Sequence, residues 1–414
     1  MDNRARRAIV RRMDHDVILA GGGLAGSALA IALSQTGLSV ALVDPVPAKT
    51  RGAEWFDGRS YALSIGSRNL LGAIGVWGAV AADAQPILDI RVSDGRAGEG
   101  PSPLTLHFDH AEIEEGPMGH MVEDRHLRPA LLNALADVTL IEAGVTAQEA
   151  GPAGVRVTLT NGDSLSARVL IGCDGKRSAV AQRAGIRRTG WDYGQSALVA
   201  AISHEVDHGG VAHQFFMPEG PLAILPLKDN RASIVWTERR DRAKAITALP
   251  DADYLDVLRP RFGDFLGDIA LAGARFTYPL GLSVANRFAA PRVALAGDAA
   301  HAVHPIAGQG LNAGLKDVAA LAEVLALAKR RGEDIGRLDV LERYERWRRF
   351  DVATLALSTD AVNRLFSNDN PAVRLARNLG LAAVQRLSGL RRGFIREAAG
   401  LTGDNPKLLQ GRPI

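Results

Sequence analysis

The chain has 414 residues, of which 47% are hydrophobic, 5% aromatic and 23% charged, a composition typical of a globular protein with two or three domains. Its one cysteine, Cys173, excludes an internal disulfide and a thiolate zinc site, and it indicates a reducing compartment such as the cytoplasm. The 49 basic and 46 acidic residues leave a formal charge of only +3, which, with so few aromatic residues, argues against nucleic-acid binding.

The first residues, 1–13, are predicted to form a disordered basic leader. They carry five arginines but lack the apolar segment that a secretory signal needs. No run of about 18 apolar residues follows in the chain, so we expect no membrane-spanning helix.

Residues 16–44 predict a strand, a glycine-rich loop, a helix and a second strand, in that order. In the loop, Gly21 allows a tight turn, Gly23 lets the backbone approach a pyrophosphate, and Gly26 lets the helix pack closely on the strand. Asp44 ends the second strand, where an acid accepts hydrogen bonds from ribose hydroxyls. The pattern predicts dinucleotide binding, although the loop alone does not separate NAD from FAD.

The middle of the chain has a different sequence pattern. From about Val76 to Met118 and again from about Arg187 to Leu280, strands alternate with Pro and Gly turns, and helical periodicity is scarce. We expect these two stretches to form one mostly antiparallel sheet. Past Pro291 the α/β pattern returns, so the first domain is interrupted in sequence and resumed later.

A second motif follows the predicted strand that begins at Arg292. Gly297 and Asp298 end this strand, and an acid at a strand end can bind the hydroxyls of a polyol such as the ribityl chain of a flavin. Gly308 and Gly310 then precede a long helix, whose predicted apolar face is Leu311, Leu315, Val318, Ala322 and Leu325.

The start of that helix offers the N–H groups of Leu311 and Asn312, which could stabilise negative charge at the N1/C2 carbonyl edge of a reduced flavin. The alternative is an ordinary strand-to-helix turn with an Asp cap. Together with the first loop, the motif favours FAD.

The last seventy residues are mainly helical in pattern and richer in basic than in acidic residues. Apolar positions spaced to share one helix face lie among arginines: Leu375, Leu379 and Ala382, with Arg374, Arg377, Arg386, Arg391, Arg392 and Arg396. Such helices can rest on anionic lipid or on a partner protein. The alternative is a helical cap that buries its apolar face on the rest of the chain.

These motifs together resemble a known family. The chain is similar to group A flavoprotein hydroxylases of the p-hydroxybenzoate hydroxylase fold and, more closely, to the UbiH/UbiF family of ubiquinone-biosynthesis hydroxylases. The resemblance covers nearly all of the chain after Met13, and it rests on Gly21 to Gly26, Asp57-Gly58-Arg59, Ala62-Leu63-Ser64, Val122-Glu123-Asp124, Cys173-Asp174-Gly175, Leu225-Pro226-Leu227, Gly297-Asp298 and the tail segment Asn363 to Asn368.

The resemblance implies an α/β fold with a Rossmann-like FAD-binding domain, interrupted by a mostly antiparallel β-sheet substrate domain and followed by a helical C-terminal region. The corresponding predicted ranges are 14–75, 119–186 and 281–345 for the FAD-binding domain, 76–118 and 187–280 for the substrate domain, and 346–414 for the helical region. It also implies FAD as cofactor, NAD(P)H and O2 as co-substrates, and hydroxylation of a polyprenylated phenol through a flavin C4a-hydroperoxide. No metal is expected.

Further site residues follow from the same resemblance. Asp174 and Gly175 match a segment implicated in FAD and NAD(P)H binding, although Ala181 stands where the family often has an arginine. Arg59 and Arg125 match cofactor contacts, with a surface ion pair as the alternative for each.

The reactive edge of the flavin is expected to be lined by His304 and Pro305, as positioning residues only, and no general base is assigned. His301 and His304 lie three residues apart, but no carboxylate or cysteine beside them in sequence completes a metal shell. An apolar wall for a prenyl chain, or alternatively a plain sheet core, is predicted from Phe215, Phe216, Leu222, Ile224, Leu225 and Trp236.

Two other functions stay open at this level. One is another flavoprotein monooxygenase, such as an epoxidase, a halogenase or a small-aromatic hydroxylase, although the Trp-x-Trp-x-Ile-like segment of halogenases is not found. The other is a non-catalytic flavin-binding component of a ubiquinone-biosynthesis complex. For the favoured function we expect a cytoplasmic protein, peripheral at the inner face of the membrane, whose partners are the prenylphenol and a ubiquinone-biosynthesis complex or the lipid surface.

Overall fold

The computed structural model describes residues 13–52, 58–98, 100–101, 105–367, 380 and 383–414. The predicted leader thus lies outside the described residues except for Met13, as do Asp57 and much of the apolar tail pattern, including Leu375, Leu379 and Ala382.

The strands are β1 (His15–Ala20), β2 (Val40–Val43), β3 (Ser60–Ser64), β4 (Gln85–Ile87), β5 (Asp89–Arg96), β6 (Gly100–Pro101), β7 (Leu106–Asp109), β8 (Gly119–Glu123), β9 (Thr139–Ile141), β10 (Val145–Gly151), β11 (Gly154–Leu159), β12 (Ser164–Gly172), β13 (Arg188–His204), β14 (Val211–Met217), β15 (Gly220–Leu227), β16 (Arg231–Arg239), β17 (Ile269–Leu271), β18 (Phe276–Ala285), β19 (Ala289–Ala290), β20 (Val293–Leu295) and β21 (His301–Ala302). The α-helices are α1 (Leu24–Ser34), α2 (Ala48–Arg51), α3 (Ile65–Ala73), α4 (Asp124–Asn133), α5 (Ala179–Arg183), α6 (Arg240–Thr247), α7 (Asp251–Phe262), α8 (Gln309–Arg330), α9 (Leu338–Phe366) and α10 (Ser388–Ala398).

The first sheet has the strand order β10-β11-β12-β1-β2-β9, with β20 paired to β12 and β19 to β20. Strands β12, β1, β2, β9 and β20 run parallel, and β1 and β2 are almost continuous apolar runs whose successive side chains are buried on both faces of the sheet. Ala20, Gly172 and Leu295 lie side by side in register. The ends of β1, β12 and β20 therefore meet at one edge, which we call the carboxyl edge, and ligands bind at such an edge in open α/β sheets.

Helices α1 and α8 pack against each other over this sheet and share one hydrophobic core with it. Of the predicted apolar face of α8, Leu315, Val318, Ala322 and Leu325 are buried, and Leu311 at the helix start is half-buried against the same core. Helix α9 packs on α8, and its Tyr344 hydroxyl donates to the carbonyl of Leu295 over 2.8 Å.

The large sheet has the order β21-β18-β13-β16-β15-β14-β5-β6, with β17 and β7 at its sides. Its pairings are antiparallel except that β14 runs parallel to β5, so the predicted mostly antiparallel sheet is present. Strand β4 instead joins β3 and β8 in a small separate sheet. The pairing of β13 with β18 shifts register between Asp192 and Ser196, which marks a bulge.

Helices α6 and α7 cover one face of the large sheet, and the sequence analysis did not predict them. Their apolar residues, including Tyr254, Leu258 and Phe262, form a second core with that face. The signal is weak in sequence because both helices are short, are hydrophilic on average and, in α7, contain Pro260.

The C-terminal part of the chain packs on the rest of the protein through α9 and α10. The predicted boundary at residue 346 falls inside α9, whereas α10 buries Ile395 in a small core with Ile65, Met118 and Met121. None of the helices in the described parts of the chain has the length and apolar character that a membrane span requires.

Candidate active site

The loop between β1 and α1 is shaped by close packing of glycine. Gly21 has φ +108°, and a Cβ there would collide with the carbonyl of Cys173 at the end of β12. A Cβ on Gly26 would collide with the carbonyl of Gly21. Beside Gly23, in contrast, a Cβ would meet nothing within 4 Å. The loop is therefore packed on the protein side and open at the first turn of α1, whose N–H groups favour an anion.

Asp44 holds this loop in place. Its Oδ2 accepts the N–H of Gly22 over 2.6 Å, and its Oδ1 accepts the N–H of Val46 over 2.8 Å. Arg51 lies 3.9 Å from the same carboxylate and donates to the carbonyl of Gly22. Asp44 thus already has loop contacts, and its hydrogen bond to a ribose stays a prediction.

Asp174 lies at the carboxyl edge directly after β12. Its Oδ2 accepts the N–H of Val180 over 3.1 Å, while its Oδ1 is buried and has no partner among the described residues. Gly175 follows with φ +83°. Ala181, where the family often has an arginine, is buried under the Ser178 cap of α5, and Arg183 bonds Gln148 instead.

A buried ionic network fixes the loop that carries Gly297. Asp317 of α8 accepts the Gly297 N–H over 2.9 Å, the His301 Nε2 over 2.6 Å and the Arg348 Nε over 2.8 Å. Burial by itself would raise the pKa of Asp317, but His301 and Arg348 outweigh it and hold that pKa below its ordinary value. Nε2 of His301 is therefore already hydrogen-bonded within the protein.

The side chain of Asp298 is exposed to solvent, yet desolvation by the protein around it raises its pKa. Its backbone carbonyl and that of Ala299 accept hydrogen bonds from the guanidinium of Arg188 on β13. Asp298 is thus held by its backbone, and its carboxylate is accessible from solvent.

The N-terminus of α8 begins beside this loop. Gly308 has φ +63°, and the first turn of the helix contains Gly310, Leu311 and Asn312. The Asn312 side chain is buried, accepts from the Ser64 N–H over 3.0 Å and the Ser67 hydroxyl over 2.7 Å, and donates to the Ala62 carbonyl over 2.9 Å. It anchors the helix start to the junction of β3 and α3 and leaves the helix N–H groups as the polar groups facing outward.

His304 and Pro305 lie between β21 and α8. The His304 ring is buried, and neither of its nitrogens has a hydrogen-bond partner in the part of the chain that the structure describes. It contacts the Tyr193 ring edge-on, with centroids 5.3 Å apart. Desolvation lowers the pKa of His304 to about 4, so the imidazole is neutral at neutral pH.

The two predicted arginines are both ion-paired. Arg125 contacts Glu123 over 2.7 Å, and Arg59 lies 3.4 Å from Asp124. Asp124 also accepts bonds from Tyr61 and Arg128. These pairs fit the alternative reading of a structural role, and contact of either arginine with the cofactor stays a prediction.

Several features of the carboxyl edge fit FAD. The open side of the Gly23 turn suits a pyrophosphate. Within the described residues, Oδ1 of Asp174 is a buried acceptor without a donor, and the exposed carboxylate of Asp298 has no hydrogen-bond partner. All three lie where β1, β12 and β20 end together.

Comparisons with known proteins agree. The chain matches a protein family described as "FAD binding domain" over residues 14–358. It is 46% identical to Ubiquinone hydroxylase UbiL of Rhodospirillum rubrum, over 96% of this chain and 93% of that protein. It is also 36% identical to 3-demethoxyubiquinol 3-hydroxylase of Escherichia coli K12, over 93% of this chain and 98% of that one. This chain belongs to the UbiH/UbiF family of ubiquinone-biosynthesis hydroxylases.

The fold of this UbiH/UbiF family member is likewise found in p-nitrophenol 4-monooxygenase PnpA of Pseudomonas putida, with a TM-score of 0.77 at 20% identity over 94% of this chain and 99% of that one. The predicted fold class is therefore confirmed: a Rossmann-like FAD-binding part, an antiparallel sheet part and a helical C-terminal region. The protein is an FAD-dependent monooxygenase with NAD(P)H and O2 as co-substrates.

Sequence reasoning missed Asp317, Arg348 and Tyr193. A signal was present for Asp317, because an acid within the apolar stretch of α8 that contains Leu315 and Val318 must find a buried partner. Arg348 and Tyr193 lie far away in sequence, and no local pattern marks either of them.

Proposed function

We propose that this protein hydroxylates the aromatic ring of a polyprenylated phenol in ubiquinone biosynthesis. The observation that carries the proposal is the match to Ubiquinone hydroxylase UbiL over almost the whole length of both chains. In this proposal residues 14–75, 119–186 and 281–345 bind FAD, residues 76–118 and 187–280 bind the substrate, and residues 346–414 form the helical C-terminal region.

The residues of the carboxyl edge would hold FAD. The loop from Gly21 to Gly26 and the N-terminus of α1 bind the pyrophosphate, and Asp44 accepts from the ribose. Asp298 accepts from the ribityl hydroxyls, and the N–H groups of Leu311 and Asn312 face the N1/C2 carbonyl edge. When bound, FAD would supply a hydride acceptor for NAD(P)H and the chemistry that activates oxygen. The residues of this chain would bind and orient the flavin and the substrate and exclude water from them.

The face of the large sheet away from α6 and α7, part of which α9 covers, is proposed as a wall for the substrate. Of the apolar residues considered from sequence, Phe215, Leu222, Ile224 and Trp236 face α6 and α7, so the core interpretation is confirmed for them. Phe216 stacks on Phe366 of α9.

The opposite face carries a row of half-buried side chains that pair directly across neighbouring strands. We call it the open row: Val92, Gln214, Ala223, Val235 and Val199. Leu225 lies on the same face, next to this row. Because these side chains are mostly small and apolar, we propose that the prenyl chain lies against them.

The proposed reaction is tested with the FAD-loaded enzyme. The enzyme is reduced anaerobically by NAD(P)H, then mixed with air, with and without a geranyl-substituted phenol. We expect one hydroxylated product and less hydrogen peroxide when the phenol is present. Peroxide alone in both cases would contradict the hydroxylase function.

A second measurement tests the pathway. A deletion strain is expected to accumulate an under-hydroxylated ubiquinone precursor, and a plasmid copy of the gene should remove it. Normal ubiquinone without any precursor, in a strain with no compensating paralogue, would exclude this substrate assignment.

The proposed role of the open row is tested by placing a larger side chain in it. Ala223→Phe should weaken binding of the geranyl-substituted phenol more than binding of the same phenol without the chain, because the added ring fills the proposed path. Ala270→Phe, on the exposed side of β17, is the matched control and should change neither.

We also propose that α10 rests on an anionic membrane surface. Leu387, Leu390 and Phe394 share one face at this helix and are 52%, 54% and 55% exposed. Exposed Arg386 and Arg392 flank them, whereas Arg391 and Arg396 pair with Glu112 and Glu115 and so fix α10 to the body of the protein.

Flotation with vesicles tests this contact. We expect salt-sensitive binding to vesicles that contain phosphatidylglycerol, lost when Leu390 and Phe394 are both changed to Ser. Leu140→Ser, at an exposed leucine on β9, is the control. Binding that depends on another protein and not on lipid would favour a ubiquinone-biosynthesis complex as the partner.

A further inference from the structure

The imidazole of His304 is buried, and its polar atoms are unsatisfied within the described residues. His304 is 1% exposed, and neither ring nitrogen has a hydrogen-bond partner in that part of the chain. Buried polar atoms in folded proteins nearly always have a partner, so a ring with two unpaired nitrogens calls for an explanation. A group that binds there during the reaction provides one.

The ring is held in place without use of its nitrogens. Tyr193 packs against it edge-on, with the two ring planes at 70°. The Tyr193 hydroxyl donates to Oδ1 of Asp360 over 3.0 Å, and the indole N–H of Trp191 donates to the same oxygen over 3.1 Å. Arg364 contacts Oδ2 over 2.9 Å. The Asp360 carboxylate is thus satisfied, and it fixes the wall on which the imidazole packs.

His304 lies between the two parts of the proposed site, the large sheet and the loop before α8. It lies two residues after β21, which pairs with β18 of the large sheet, and it precedes the turn into α8. Tyr193 comes from the bulge of β13, the central strand of the proposed substrate sheet. The imidazole therefore lies where the sheet that faces the substrate meets the loop proposed to hold the flavin.

We propose that His304 binds the phenolic hydroxyl group of the substrate. The inference rests on the function proposed above and assigns the recognition of its hydroxyl group to one residue. A neutral imidazole offers one N–H donor and one acceptor nitrogen, and a phenolic hydroxyl offers one donor and one acceptor. Whichever nitrogen carries the proton, the other accepts from the phenol, and this orients the ring for attack.

The hydrogen bond forms without transfer of the proton. The charged and titratable groups that face His304 are Asp360 and Tyr193, and the raised pKa of Tyr193 keeps its hydroxyl neutral. Burial lowers the pKa of His304 to about 4 even though Asp360 opposes the shift, whereas a phenol has a pKa of about 10. Proton transfer between them is therefore strongly unfavourable, and His304 acts by binding and orienting.

A comparison of two ligands isolates this contact. A geranyl-substituted phenol and its methyl ether are titrated into the FAD-loaded enzyme, and their dissociation constants are read from the flavin absorbance. We expect wild-type protein to prefer the phenol by about tenfold or more, because the ether cannot donate to the imidazole. His304→Phe keeps the ring contact with Tyr193 but should bind the two ligands equally.

Further variants separate binding from structure. His304→Gln retains a donor and an acceptor and should restore part of the preference, while His304→Leu repeats the test if the Phe variant does not fold. His120→Leu is the matched control: His120 also has a buried unpartnered nitrogen, a pKa lowered to about 4 and an edge-on aromatic neighbour, Trp77, at 5.1 Å. It should keep the wild-type preference.

Each outcome decides a different statement. If wild-type protein prefers the phenol and His304→Phe does so equally, the assignment to His304 is overturned while the proposed function stands. If wild-type protein binds both ligands equally, the hydroxyl is not recognised and the inference fails. If it binds neither and hydroxylates no prenylphenol, the proposed function fails and the inference with it.

Discussion

The loop from Gly21 to Gly26 and the loop from Gly297 to Asn312 follow β1 and β20, the two strands that flank β12 in one sheet, yet they are held by different means. The first is fixed by steric fit, because the carbonyl groups of Gly21 and Cys173 leave no room for side chains. The second is fixed by polar side chains from distant elements, chiefly Asp317, Arg348 and Arg188.

This difference determines which kind of substitution disrupts each loop. A loop built on glycine fails when any side chain is added, whatever its chemistry. A loop built on a buried ion network fails when one partner is removed, because the other charges remain buried without compensation. Asp298 lies inside the second loop but outside its network, so its loss should leave the fold intact.

The largest effect is expected for Gly21→Ala. The new methyl group would collide with the Cys173 carbonyl, and φ is +108°, so overpacking and backbone strain together should lower the free energy of unfolding by about 4 kcal/mol. Denaturant unfolding measures this loss. Gly23→Ala is the control, since a methyl group there meets no protein atom within 4 Å.

Gly23→Ala should fold normally and bind FAD less tightly, because its methyl group occupies the side of the turn proposed for the pyrophosphate. Equal stability of the two alanine variants would contradict the steric account of this loop. Unchanged FAD affinity of Gly23→Ala would instead contradict the proposed pyrophosphate position.

A smaller effect is expected for Asp317→Asn. The change removes the charge that compensates His301 and Arg348 and should lower the free energy of unfolding by about 3 kcal/mol at neutral pH. Because the pKa of Asp317 is lowered in the folded protein, its stabilisation is full above the ordinary carboxyl pKa and is lost as the pH falls through the folded value.

Unfolding at neutral pH and below pH about 4 tests this sign. The difference between wild type and Asp317→Asn should shrink in acid. Asp351→Asn, which removes only a half-exposed partner of Arg348, should have a small effect at either pH. A difference that grows in acid would overturn the ionic account of the second loop.

The smallest effect on stability is expected for Asp298→Ala. No described side chain bonds its carboxylate, so the free energy of unfolding should change by no more than about 0.5 kcal/mol. FAD affinity, measured by flavin fluorescence, should nevertheless fall about tenfold or more, since the ribityl hydroxyls lose their acceptor. Full affinity in a folded variant would exclude this role for Asp298.

Local sequence determined the elements of the carboxyl edge. The glycines of residues 21–26, the buried strand before them and Asp44 form one continuous unit, and the hydrogen bond from the Gly22 N–H to Asp44 joins residues within that βαβ unit. A pattern of that length can be read directly. The helix α8 and its apolar face were predicted for the same reason, because the 3.6-residue period is local.

The middle of the chain shows where local sequence patterns no longer suffice to predict the structure. Alternation on β14 and β15 indicated two faces but could not say which one helices cover, since α6 and α7 follow later in the chain and pack back. Five of the six apolar residues considered as a wall proved to be core: four lie under α6 and α7, and Phe216 packs with Phe366 in a separate small core. The half-buried open row lies on the face away from α6 and α7.

The sequence alone therefore determined the fold class, the family, the FAD cofactor and the loops that carry its motifs, because each depends on short runs with a fixed period or spacing. Only the tertiary structure decided that Asp317 is buried between His301 and Arg348, that the Asp298 carboxylate is exposed although desolvation raises its pKa, and that the His304 nitrogens have no partner among the described residues. These properties arise from residues brought together across long sequence separations, and the pKa and hydrogen bonding of a side chain depend on that surrounding, which the residue's own segment does not encode.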